Sequence, residues 1–182
     1  MSANIYRLAY DPNMVEVMEA DLVRRVTDLA TVAQIDMGIH GVFSLDDLEA
    51  MTVGDLCKKI AIGIAYVGAE DTKVTGPSLA AGTNANAARA DVEFNFLIVL
   101  AVPVTRAGSD NRLDGSKMLS TIRQSLLGKT VQPPTSNTPY NPVQSGTWRY
   151  VKEQPQPSES TSDMLYYSQV WRVVLPIATK NS

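Results

Sequence analysis

One cysteine, one histidine and three phenylalanines stand among 182 residues. A lone Cys57 allows no internal disulfide, so a reducing compartment is the expected setting. A lone His40 rules out any metal or catalytic centre built on two histidines of one chain. Long apolar runs are missing as well. The longest, Phe96 to Val104, falls far short of the ~20 residues of a membrane helix and contains Pro103. The opening residues, MSANIYRLAYDPN, lack the basic segment, apolar run and small-residue cleavage site of a secretory signal. No dinucleotide glycine fingerprint occurs. Gly128-Lys129-Thr130 has the ending of a phosphate loop, but Arg123 stands where that motif needs glycine. A surplus of positive charge is absent too, and a net charge of −3 with a pI near 5.1 argues against a dedicated nucleic-acid binder.

What the chain does have is an ordinary globular composition, 45% hydrophobic and 19% charged, enough for one domain with a core. Its charge is unevenly distributed. Residues 1–71 carry 12 acids and 5 bases, a net of −7, and residues 72–182 carry 7 acids and 11 bases, a net of +4. Such a division suits a subunit whose acidic part meets the basic part of a neighbour, head to tail.

The hydrophobic pattern alternates between periods. Asp11-Pro12 opens a helix over roughly 12–30, with Val15, Met18, Leu22, Val26 and Leu29 on one face and Glu16, Glu19, Asp21, Arg24 and Arg25 on the other. A short strand through Val32 to Ile39 is expected next. Ser44 and Asp47 resemble a capping box for a short helix from Leu45, and Val53, Leu56, Cys57 and Ile60 have helical spacing. From Ile60 the period becomes two: Ile60, Ile62, Ile64 and Tyr66 form a bulky face, Ala61, Gly63, Ala65 and Val67 a small one suited to close packing. Residues 68–88 have no period and are expected to be a flexible loop that carries binding. The strongest strand follows, Asp91 to Val104, with Val92, Phe94, Phe96, Ile98, Leu100 and Val102 on one face. Asp114 is the expected N-cap of a second amphipathic helix through Met118, Leu119, Ile122, Leu126 and Leu127, closed by Gly128. Further flexible loops are expected at 129–146 and 154–162, around a strand Thr147 to Glu153. A closing strand, Met164 to Ile177, puts Leu165, Tyr167, Trp171, Val173 and Leu175 on one face. The expected fold is α+β, a largely antiparallel or mixed sheet with two or three amphipathic helices on one face.

No set of residues assembles a reaction. Cys57 lies on an apolar helical face, which makes it a core residue although Lys58 and Lys59 flank it. His40, between glycines, reads as a turn residue. Asp46/Asp47 and Glu70/Asp71 are sequence neighbours that splay apart on a helix. Asp91 and Glu93, two apart on one strand face, are the one pair with the spacing for acid–base work, and a solvated or interface-lining edge is the simpler reading. Arg89, Arg106, Arg112 and Arg149 lack the interleaved aromatics of a nucleic-acid platform. No cofactor or metal is expected.

The order of these segments carries a resemblance. An amphipathic helix is followed by LDDLEAM, IAIGIAYVGAED and a long loop, then VEFNFLIVLAVPV, the helix DGSKMLSTIRQSLLGK, WRYVKEQ and YYSQVWRVVLPI. Over residues 12–178 this resembles the tail terminator family of tailed bacteriophages, of the Mu-like contractile-tail type and related in fold to the lambda tail terminator. The resemblance implies a virion protein assembled in the bacterial cytoplasm. It would form a six-membered ring on the head-proximal end of the tail tube, where it stops tube growth and offers a docking surface to neck or head-completion proteins. The implied partners are further copies of the chain, the tail tube protein, a connector or neck protein and possible sheath; DNA passes only in transit, and no membrane is involved. On this basis the expected protein interface comprises Glu70, Asp71, Lys73, Arg89, Asp91, Glu93, Arg106, Arg112, Tyr140 and Arg149. A tail-tube or neck ring protein, a small enzyme using Asp91 and Glu93, and a monomeric binding module are the alternatives.

Overall fold

Apolar residues at helical spacing produce α1 (Asn13–Val32). It is followed by β1 (Ile39–Ser44), α2 (Leu45–Glu49), β2 (Ile60–Thr75), β3 (Ala87–Pro103), α3 (Asp110–Leu126), β4 (Arg149–Gln156) and β5 (Met164–Lys180). These elements belong to a computed structural model that describes residues 13–32, 38–52, 54–56, 59–75, 87–104, 110–132, 146–156 and 164–180. The strands form one sheet in the order β1-β2-β3-β5-β4, in which only the β1–β2 pair is parallel. The fold is α+β with a mixed sheet. Helices α1 and α3 cover one face, and the short α2 lies on the other.

Two segments depart from the expected periods. Helix α1 runs on to Val32, so the strand placed at Val32 to Ile39 is instead β1, and His40 lies in that strand rather than a turn. Of the residues with helical spacing at 53–60, Leu56 lies in a turn with Gly54 and Asp55, while Val53 and Cys57 lie outside the described residues. Thr52 and Asp55 close a single turn there, in which the Asp55 carboxylate accepts from the Thr52 amide and hydroxyl, and Ile60 begins β2. Those two hydrogen bonds lower the Asp55 pKa below its ordinary value. Helix α3 starts a turn earlier than expected, at Asp110, so Asp114 lies within it and is buried. Leu127, past its last turn, is exposed. At the start of α2 the capping box is present as read: Ser44 Oγ accepts from the Asp47 amide and donates to its carboxylate.

The expected loops are shorter than their composition suggested. Strand pairing continues to Thr75 and resumes at Ala87, so 68–75 and 87–88 are strand, and 76–86 lies outside the described residues. The ends of 129–146 are tied by the Val131 amide to the Gly146 carbonyl and by the Trp148 amide to the Lys129 carbonyl. Strand β4 takes in 154–156, including Pro155, which is tolerated because β4 is an edge strand with one side free of ladder bonds.

The core lies between the sheet and α1 with α3. Every residue read onto the inner face of β3, from Val92 to Val102, is buried, as are Trp171, Val173 and Leu175 of β5. One row of this face is aromatic across four strands: Tyr66 of β2 pairs with Phe96 of β3, Phe96 with Trp171 of β5, and Trp171 with Tyr150 of β4. Trp148 meets Phe96 edge-on at 5.3 Å between centroids, and the Arg123 guanidinium of α3 sits 3.9 Å over the Tyr150 ring. The polar Gln169 breaks the apolar face without being orphaned. Its amide nitrogen donates to the Leu119 carbonyl and to Glu153, and its oxygen accepts from Trp171 Nε1. On the opposite face the small side of β2 serves as expected, since a Cβ on Gly63 would lie 2.6 Å from Leu48 of α2.

Helical spacing puts Asp21 on the polar side of α1, yet it is 1% exposed. Its carboxylate accepts from Trp148 Nε1 at 2.9 Å, from Arg25 Nε at 3.0 Å and from Arg24, while Arg25 also donates to the Thr130 carbonyl. Removing one member of a buried, hydrogen-bonded charge cluster leaves the others without compensation. Asp21→Ala is therefore expected to destabilise the fold by about 3 kcal/mol in urea unfolding, with an unchanged denaturant slope. A loss under about 1 kcal/mol, the scale of an exposed ion pair, would contradict this.

Candidate functional site

The helices leave part of the sheet's second face to polar side chains, and the register places these in rows. Helix α2 covers the end of that face that begins at Ala61 and Gly63. Farther along β2 an extra residue changes the phase. The β2–β3 register shifts between Tyr66 and Gly68, so that Tyr66 lies opposite Phe96 on the core face and Gly68 lies opposite Asn95 on the second face. Gly68 takes φ +127°, a conformation that disfavours any side chain, and Val67, the inserted residue, is exposed. Without this bulge the alternation that buries Ile60, Ile62 and Ile64 would turn Glu70 toward the core. With it, Glu70 stands directly across from Glu93 on the solvent side.

In the rows around Glu70 the second face thereby divides its charge from side to side, while farther along the register sets Lys73 of β2 opposite Asp91. Glu70 on β2 and Asp91 and Glu93 on β3 are carboxylates. Arg172 on β5 and Arg149 and Lys152 on β4 are cations, Arg149 lying directly across from Arg172 and Lys152 across from Val170. Like charges directly opposite on neighbouring strands destabilise a sheet by a few tenths of a kcal/mol or more, roughly 0.2–1 kcal/mol per pair. Two such pairs, Glu70/Glu93 and Arg149/Arg172, stand side by side here. They are bridged once, by the diagonal ion pair from Arg172 Nη1 to Glu93 Oε2 at 2.7 Å. That bridge neutralises one member of each pair.

Of the ten residues expected at an interface, six lie on the paired ends of β2 and β3. Glu70 and Glu93 share a row, Lys73 is opposite Asp91 in the register, Asp71 is opposite Val92, and Arg89 is opposite Thr75. Arg149 lies on the far side of the sheet, on β4. Arg112 falls in the first turn of α3, off the sheet. Arg106 and Tyr140 lie outside the described residues, as does Cys57. Two charged residues of this face are not among the ten, and the first is Arg172. Its signal was present: it follows Trp171, whose ring faces the core, so strand alternation puts it on the opposite face. Lys152 was missed because a register shift between Tyr150 and Lys152 sets its face.

The chemistry this surface displays is ion pairing. The Glu93 carboxylate, one half of the pair considered for acid–base work, is engaged by Arg172. Among the described residues no three His, Cys, Asp or Glu side chains are grouped to hold a metal ion, and no helix is long and apolar enough to cross a membrane. His40 stacks on Phe43 at 5.6 Å between centroids.

The bulge gives a direct test of how this face is built. Nothing lies within 4 Å of a Cβ added at Gly68, so Gly68→Ala isolates the cost of its backbone conformation. The expected loss is roughly 1–2 kcal/mol in thermal or urea unfolding. An unchanged stability would mean that β2 passes this point without the bulge.

No family model matches the chain, and no curated protein does. Among solved structures, the chain is similar to one from the virion of a native gene transfer agent particle, with a TM-score of 0.48, 14% identity, and coverage of 91% of this chain and 99% of that one. It is also similar to a chain from an extracellular contractile injection system, the PVC sheath/tube terminator in its extended state. There the TM-score is 0.40 and the identity 13%, over 96% of this chain and 58% of that one.

Proposed function

We propose that the chain is a structural subunit of a phage-type tail. Copies join head to tail in a closed, six-membered ring on the head-proximal end of the tail tube. There the ring ends tube polymerisation and receives the neck or head-completion proteins, with the sheath nearby and DNA passing through it. The order of helices and strands, which resembles that of tail terminators, supports a place in the tail. The observation that carries the self-assembly is the division of charge in the rows around Glu70 on the second face of the sheet, with Glu70 and Glu93 on β2 and β3 and Arg172 and Arg149 on β5 and β4. Heterologous contacts of this kind make a ring when the rotation between subunits closes.

Particles produced without the chain test the proposal. Electron microscopy is expected to find tails of uncontrolled length, or tails of normal length that fail to join heads. The first outcome assigns its main contact to the tube, the second to the neck. Infectious particles with normal tails would overturn the proposal.

A further inference from the structure

The ion pair between Glu93 and Arg172 uses one member of each like-charge pair and leaves the other. Glu70 and Arg149 are both exposed, and neither has an ion-pair partner among the described residues. They cannot satisfy one another within a chain. Strands β2 and β4 are separated by β3 and β5, so three strand spacings of about 4.8 Å put them roughly 14 Å apart. The bridged pair lies between them.

Their positions at the sheet's margins point outward. Strand β1 pairs with β2 only as far as Ile64, so at Glu70 β2 is the outermost described strand on its side. On the other side β4 is outermost, and Arg149 is its first residue. Both side chains belong to the same face, fixed by their partners Glu93 and Arg172. A two-fold contact between matching margins would set Glu70 against Glu70, or Arg149 against Arg149. Among contacts made edge to edge, only a head-to-tail one brings the acidic margin to the basic one.

We infer that Glu70 of one copy pairs with Arg149 of the partner subunit, so that each interface of the assembly holds this ion pair, and the occupant of each charged margin is a second copy of the same chain. The inference rests on the ring-forming function proposed above and gives its interface a specific contact. It also accounts for two unfavourable cross-strand pairs in one subunit: the excess charge of each is matched only on assembly.

The test uses the full chain with Glu70→Arg and Arg149→Glu, alone and mixed. Each substitution turns a like-charge cross-strand pair into an opposite-charge pair, so the monomer should unfold no earlier than the unsubstituted protein. Measured by light scattering at low ionic strength, each variant alone is expected to associate at least tenfold more weakly. An equimolar mixture should recover association to within about threefold. When the two variants alternate around a ring with an even number of copies, every interface again joins a carboxylate to a guanidinium, in the original sense at one and reversed at the next. The recovered assembly should weaken as salt rises, since exposed pairs are screened over about 8 Å at physiological ionic strength. If the unsubstituted chain associates but single variants associate equally well, or the mixture fails to recover, the pairing is wrong while the ring stands. If the unsubstituted chain remains monomeric at all ionic strengths, alone and with tail tubes, both the pairing and the ring are overturned.

Discussion

The carboxylate of Asp21 is the point on which three separately built parts of the chain converge. It lies on α1, and its partners include Trp148, the residue that leads into β4, and Arg25, which also grips the carbonyl of Thr130, four residues past the end of α3. Burying a carboxylate costs several kcal/mol unless it is paired and hydrogen-bonded, so this position tolerates no partial solution. Once Asp21 holds Trp148, the indole edge meets Phe96, and the aromatic row from Tyr66 to Tyr150 has its fixed neighbour. The helices, the linking segment and the inner face of the sheet are therefore set by one charged cluster and one aromatic row.

The outer face follows from a mismatch of lengths. Strands β3 and β5 have 17 residues each, about 55 Å at the usual rise, while the 20 residues of α1 span about 30 Å. The sheet runs past the layer that covers it. On its second face α2 covers only the end near Gly63, and beyond that the side chains become charged. A single inserted residue in β2 decides which face receives Glu70. The arrangement of carboxylates and guanidiniums on this surface thus depends on the bulge at Val67 and Gly68 as much as on the residue types.

Much of this was legible in the sequence. The alternation in β3 and β5 located their buried residues, because a two-residue period with bulky side chains has one solution. The capping box at Ser44 and the small face of β2 were equally readable, being local. What the sequence hid was non-local. Asp21 has polar neighbours on its helix, and nothing within a few turns reveals that an indole 127 positions away donates to it. The segments 68–75 and 154–156 looked like loops because Gly, Thr and Pro weaken strand patterns, but long neighbouring strands supplied the pairing that their own residues did not advertise. Six of the ten interface candidates lie on β2 and β3 because they are close in sequence to the ends of those paired strands. Arg172 is hard to pick out because Val170, Trp171, Val173 and Val174 surround it in the sequence.

The central claim is that this chain is a subunit whose charged sheet margins join copies head to tail into a ring. Electron microscopy of the purified full chain at low ionic strength, alone and with tail tubes, addresses it directly. The account predicts closed rings with six-fold symmetry, free or seated on tube ends. Isolated monomers under both conditions, or two-fold dimers that persist at high salt, would contradict it.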